Sequence, residues 1–370
     1  MQTLEHVPVA SIESELSTLW DSQLDAKKIK ACLFNLVIYT KDLRRIPFFE
    51  EIIHSFIEKY PCRILFIQGN DQDKDAPINV KISNVIVYEG DAVIGCDQIV
   101  LESGSNHLHR IPFIILPHIV PDLPLYFLWG ENPATETSIL PYLQEYGQKL
   151  IFDSEWTEDL QGFSKKVLTQ IDRLKIEVVD FNWAILSGWR KVMAQTFDSP
   201  EKIQLLNQGA TIYICYNNKK TDLILHTEIN ALYLQAWLAA QLGWNVETAE
   251  CQISNPHIQY SCKKQLIEVK LVPQEYESSP PGDILSIEIY TQEGCSIEIA
   301  RKKENPSQVY IHIASPEKCE LPFTLTLPNL ERGFNFINEV FYHSPTEHYH
   351  NMLTMLSQTR WNICPGGKND

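Results

Sequence analysis

The chain has 370 residues, 44% of them apolar and 21% charged, which suits two ordinary globular cores rather than a disordered chain. Its net charge of −16, from 47 acids against 31 bases and with no basic run, excludes a binder of phosphate backbones and disfavours an anionic membrane surface. Nine widely spaced cysteines without a C-x-x-C pair exclude a disulfide framework or a zinc ribbon, and they read as inert core thiols of a cytoplasmic protein.

The first residues lack the positive start and apolar block of a signal peptide. Ala31–Tyr39 is an apolar run of strand length, and Asp42–Lys59 carries Leu43, Ile46, Phe49, Ile52, Ile53, Phe56 and Ile57 at helical spacing. Strands are predicted at Cys62–Ile67, Lys81–Tyr88 and Gln98–Leu101. Ile111–Val120 reads equally as a strand or a Pro-capped helix. Pro112, Pro117, Pro121, Pro124 and Asp122 argue against a membrane helix across Ile111–Trp129. Leu125–Trp129 and Lys149–Phe152 are further strands, and Glu155–Ile176 is a helix leading out of the domain. Apolar strands joined by amphipathic helices predict an α/β fold: a mostly parallel, three-layer αβα domain over residues 1–175, Rossmann-like without a nucleotide loop.

Residues 176–370 are expected to form an α+β domain. A Trp-rich helix is predicted over Phe181–Phe197, a strand over Gly209–Tyr216 and a helix over 228–242 that Gly243 ends. The period then changes to two. Ile267, Val269 and Leu271, then Leu285, Ile287 and Ile289, then Ile297 and Ile299, then Val309, Ile311 and Ile313, then Phe323, Leu325 and Leu327 alternate with polar residues. This predicts an antiparallel meander over 265–327 with one wet face. Asn335–Trp361 reads as C-terminal helix.

The signatures of chemistry are missing: no G-x-G-x-x-G after a strand, no Walker A, no G-x-S-x-G and no H-E-x-x-H. The turns after Tyr39 and Ile67 read TKDLRR and QGNDQD, neither glycine-rich. Lys41, Arg44 and Arg45 read as a solvated helix start, with a phosphate site as the lesser alternative. His107 and His109, and His343, His348 and His350 before Cys364, do not match the usual zinc spacings. Neither catalytic residues, nor a metal site, nor a cofactor is expected.

Four segments carry a resemblance. They are Tyr60-Pro61-Cys62-Arg63; Leu123-Pro124-Leu125 leading into Phe127-Leu128-Trp129-Gly130; Trp183-x5-Trp189-Arg190; and Leu234-x2-Trp237-Leu238-Ala239-x2-Leu242-Gly243. In this order and spacing the chain resembles the glucose-6-phosphate dehydrogenase assembly protein family, OpcA, over roughly residues 30–245. It departs where that family often has two adjacent tryptophans and this chain has Leu128-Trp129. The resemblance implies a non-enzymatic assembly factor or allosteric effector in the oxidative pentose phosphate pathway, with glucose-6-phosphate dehydrogenase as partner and neither nucleic acid nor membrane. The alternative is a sugar-phosphate-binding enzyme or sensor of the same pathway, with its pocket at the carboxyl ends of the first-domain strands.

Trp129, Trp183, Trp189 and Arg190 are the candidate interface residues or structural anchors. On a helix, Trp183 and Arg190 share one edge of an apolar face. That helix is apolar over about half its circumference and so should be sandwiched. Arg190 is accordingly expected to be largely buried and paired inside the chain rather than free for a partner.

Overall fold

The computed structural model describes residues 3–22, 28–57, 60–89, 92–133, 139–143, 145–173, 176–221, 224–252, 255–317, 319–327 and 347–358. The chain forms two compact units. Unit 1 comprises Met1–Asp153 and Arg173–Val179; unit 2 comprises Ser154–Asp172 and Asp180–Asp370. The division differs from a single cut at residue 175: the helix Leu160–Arg173 belongs almost wholly to unit 2, and the strand after it returns to the sheet of unit 1.

Unit 1 is built on a nine-stranded sheet. Its strands are β1 (Thr3–Leu4), β2 (Lys28–Lys30), β3 (Asn35–Thr40), β4 (Arg63–Asn70), β5 (Asn79–Glu89), β6 (Ala92–Gly104), β7 (Leu125–Trp129), β8 (Lys149–Phe152) and β9 (Glu177–Asp180). Their order is β1-β5-β6-β4-β3-β7-β8-β9, with β2 paired to β6. β3 lies parallel to both β4 and β7, and β6 and β8 continue the parallel run on either side. All six residues of β3 are buried, as a central parallel strand requires. β5 and β6 form a long antiparallel hairpin. β6 runs nine residues beyond the short strand expected at Gln98–Leu101, because its polar stretches pair in register with β5.

Helix α1 (Ile12–Ser22) lies between β1 and β2 in the chain, and α2 (Ile46–Ile57) joins β3 to β4. Asp42 caps the 3-10 turn Leu43–Arg45 that leads into α2 by accepting the Arg44 N–H. Phe49, Ile52, Ile53 and Ile57 then fall on the buried side at the spacing of one helix face. The ambiguous stretch after residue 110 is helical, as α3 (Ile111–Ile115) and a 3-10 turn at Leu116–His118, and α4 (Leu140–Leu143) follows β7.

In unit 2, α5 (Leu160–Arg173) comes first. The single helix expected over Phe181–Phe197 is two, α6 (Phe181–Ile185) and α7 (Ser187–Thr196), meeting at Leu186. Asp180 starts α6 by accepting the N–H groups of Asn182 and Trp183. α8 (Pro200–Asn207) leads to β10 (Ala210–Asn217), and α9 (Ile229–Leu242) ends at Gly243 in the left-handed conformation, φ +66°. α9 is buried almost all round, from Ile229 to Ala239, because it lies between the sheet and α10 (Glu347–Ser357). The rest of the helical expectation over Asn335–Trp361 falls outside the described residues.

The eight-stranded sheet of unit 2 adds β11 (Asn245–Gln252), β12 (Asn255–Cys262), β13 (Gln265–Gln274), β14 (Ile284–Thr291), β15 (Ser296–Arg301), β16 (Gln308–Ala314) and β17 (Phe323–Thr326). The order is β11-β12-β13-β10-β14-β15-β16-β17. This corrects the uninterrupted meander: β10 enters between β13 and β14, parallel to the first and antiparallel to the second. Strand alternation is blind to such an insertion, since the inward sets Ile212/Ile214, Ile267/Val269/Leu271 and Ile287/Ile289 look the same whichever strand lies beside them.

Candidate functional site

The first place to look for a ligand is the carboxyl end of the parallel strands where the sheet order reverses, between β3 and β7. Two loops meet there, Thr40-Lys41-Asp42 after β3 and Gly130-Glu131 after β7. Gly130 lets them close up: its N–H donates to the Tyr39 carbonyl at 2.8 Å, and a Cβ on it would lie 2.5 Å from Phe49 Cζ and 2.9 Å from Tyr39 O.

Glu131 fills the crevice that results. Its Oε1 accepts the Lys41 N–H at 2.6 Å and the Thr40 hydroxyl at 3.3 Å. The remaining loop amides are also committed. Asp42 N–H donates to Thr40 Oγ1 at 3.2 Å, Arg44 N–H to Asp42 Oδ1 at 3.0 Å, and Arg45 N–H to the Asp42 carbonyl at 3.0 Å. Burial pushes the Glu131 carboxyl above its ordinary range, while the Lys41 amide, the Thr40 hydroxyl and the Lys41 charge oppose that rise. A dinucleotide-binding turn presents free amides to a pyrophosphate through glycines. Here the Lys41 amide holds the chain's own carboxylate and the amides after it are bonded within the loop, so these residues do not fit a dinucleotide phosphate.

Arg45 departs from the solvated helix start expected of it. It is wholly buried, ion-paired with Asp153, with its guanidinium carbon 4.5 Å from the Phe48 ring centroid. Arg44 is exposed and paired with Asp42. Arg44 and Arg45 are thus tied into the helix start and the core respectively.

The four candidate residues do not form one cluster. Trp129 lies on β7 in unit 1, buried, its ring 4.4 Å from that of Tyr39. Trp183 and Trp189 are buried in unit 2. Trp183 packs on Tyr349, centroids 5.4 Å apart, and Trp189 receives the Arg301 guanidinium at 5.5 Å. Arg190 stacks on the Trp183 ring and hydrogen-bonds its carbonyl. It is half-buried, less enclosed than the apolar helix face implied, because the break at Leu186 turns its side chain back over α6. Buried to this degree, the three indoles are core, not surface anchors.

Of the cysteines, Cys62, Cys96, Cys262 and Cys295 are buried and Cys32 and Cys215 partly so, but Cys319 is exposed with His312 Nε2 3.2 Å from its sulfur. Uniformly inert core thiols therefore do not describe this chain. Among the described residues no three His, Cys, Asp or Glu side chains converge as a metal site. His343 and Cys364 lie outside the described residues. No helix among those residues is long and apolar enough to cross a membrane.

Fold and crevice together define a two-unit α/β protein whose crevice at the carboxyl ends of the parallel strands is filled from within. Solved structures share that architecture. Glucose-6-phosphate 1-dehydrogenase from Mycobacterium avium superimposes with a TM-score of 0.54 at 9% identity, covering 89% of this chain and 92% of that one. An oxidoreductase from Sinorhizobium meliloti gives 0.51 at 11% identity, covering 89% and 96%. At such identities the likeness is one of fold alone.

The chain belongs to the glucose-6-phosphate dehydrogenase assembly protein family, OpcA. The family's models, described as the glucose-6-phosphate dehydrogenase subunit N-terminal and C-terminal domains, match residues 54–168 and 176–331. Relatives named putative OxPP cycle protein OpcA are 25% identical over 195 residues in Synechococcus elongatus and 26% identical over 238 residues in Synechocystis. Those matches cover 52% and 62% of this chain but only 42% and 48% of the relatives, so the chain spans less than half of their length.

Proposed function

We propose that this protein is a cytoplasmic, non-enzymatic effector of glucose-6-phosphate dehydrogenase that favours the active assembly of that enzyme by docking on it. The observation that carries the reading is family membership across both halves of the chain. The filled crevice supports it further, because a carboxylate held on the Lys41 amide repels the phosphate that a dehydrogenase must bind there. The same contact weighs against a sugar-phosphate enzyme or sensor using that crevice.

The test is to mix the purified protein with the cognate dehydrogenase and to follow size by light scattering and turnover by NADPH formation. A larger species with altered turnover is expected. Two species that elute independently, with turnover unchanged over a range of ratios, would refute the reading.

A further inference from the structure

Unit 2 contains a cleft of about 470 Å³ that none of the roles above uses. It lies between the end of α7, α8, the turn joining β14 to β15, and the segment after β16. That volume is within the ordinary range for a site that receives a ligand or an anchoring side chain.

Its lining divides by chemistry. The floor is apolar: Phe197, Cys295 and Ile297 are buried and Ile313 partly so. The mouth is acidic. Glu293 and Glu317 are exposed there and Glu320 is partly so; among the described residues of the lining the cation is Lys202, which already pairs with Asp198 at 3.0 Å. The Cys295 thiol reports the same field from the floor. Burial raises its pKa first, and the charges of Glu293 and Glu320 raise it further.

An apolar floor beneath a ring of carboxylates selects a guest with a hydrocarbon stem and a positive head. Arginine and lysine side chains have that form, with three or four methylenes ending in a cation. An anionic guest would face the like charges of Glu293 and Glu317.

We propose that this cleft is the anchor pocket for a basic side chain, arginine foremost, presented by the partner dehydrogenase. The inference rests on the effector reading given above. The stem lies on Phe197 and Ile297, and the guanidinium meets the carboxylates of Glu293 and Glu317 at the mouth. Buried arginines are frequent hot spots at protein interfaces.

The test uses the full chain with Glu293→Lys and Glu317→Lys combined, two exposed positions whose replacement leaves the floor untouched. Glu277→Lys, an exposed acid away from the cleft, is the control. Melting temperatures establish that each variant folds, and the dissociation constant for the cognate dehydrogenase is measured at low and at moderate salt. The double variant should bind about tenfold or more weakly, with a shallower salt dependence, while the control stays within about twofold of the parent. A double variant that binds as the parent does would overturn the pocket and leave the effector reading intact. A parent protein that does not bind the dehydrogenase at either salt would overturn both.

Discussion

The guanidinium of Arg190 lies over the indole of Trp183, 3.5 Å from its centroid, and Nη1 donates to the carbonyl of the same residue. One side chain thereby closes the joint between two short helices that the sequence periodicity runs together. A planar guanidinium makes both contacts at once, stacking by its face and donating from its edge.

Arg190→Ala is accordingly expected to lower stability by about 1–3 kcal/mol. Arg190→Lys should recover less than half of that loss, because an ammonium cannot stack and bond at once. Urea melts monitored by tryptophan fluorescence measure both. An Arg190→Ala protein with unchanged stability and lost affinity for the dehydrogenase would assign the residue to the interface.

At the other end of the chain, Asp97 gathers three donors: Trp20 Nε1 at 2.7 Å, Arg63 Nη2 at 2.6 Å and Lys30 Nζ at 2.9 Å. Burial works against its ionisation, but these partners outweigh burial and hold the carboxyl below its ordinary 3.8. A depressed folded pKa means that the stabilisation is complete above pH 4 or so and lost as the pH falls further. Stability should therefore decline steeply below about pH 4, and Asp97→Asn should flatten that limb while costing about 3 kcal/mol at neutral pH. Thermal melts between acid and neutral pH compare the two proteins.

Glu131 makes the reading of the crevice testable. Calorimetric titration of the parent protein with NADP should give no binding tighter than about 1 mM. Glu131→Ala frees the Lys41 amide but supplies no glycine turn, so it should not create a tight site either. It should lower stability by about 1–2 kcal/mol through the lost hydrogen bonds. Micromolar binding by the parent protein would contradict the geometry described here.

Thiol reactivity should separate the cysteines. Burial pushes Cys62 well up and Cys96 to about 12, so neither offers thiolate at neutral pH. Cys319 is exposed, with His312 Nε2 3.2 Å from its sulfur. Peptide mapping after brief iodoacetamide treatment should find Cys319 alkylated at least about tenfold faster than Cys62 or Cys96. His312→Ala should slow Cys319 and leave the others unchanged. Equal rates at all three sites would contradict the burial pattern.

Much of the fold was legible along the chain because it depends on local periodicity. Leu125–Trp129 and Lys149–Phe152 form strands with the bounds their apolar runs imply, and Gly243 ends α9 where a left-handed residue is needed. The four segments Tyr60–Arg63, Leu123–Gly130, Trp183–Arg190 and Leu234–Gly243 were enough to indicate the family. Neighbouring residues share a face at a fixed spacing, and that spacing survives any arrangement of the elements around them.

What the tertiary structure alone decided are contacts between residues far apart in sequence. Alternation gave no sign that β10 separates β13 from β14. Only the tertiary structure brings Glu131 back to the Lys41 amide ninety residues earlier, or sinks Arg45 against Asp153. Nothing local distinguishes Arg45, buried and paired, from Arg44, solvated and one position away. The difference lies in which carboxylate the fold brings within reach, and a one-dimensional pattern carries no record of that distance.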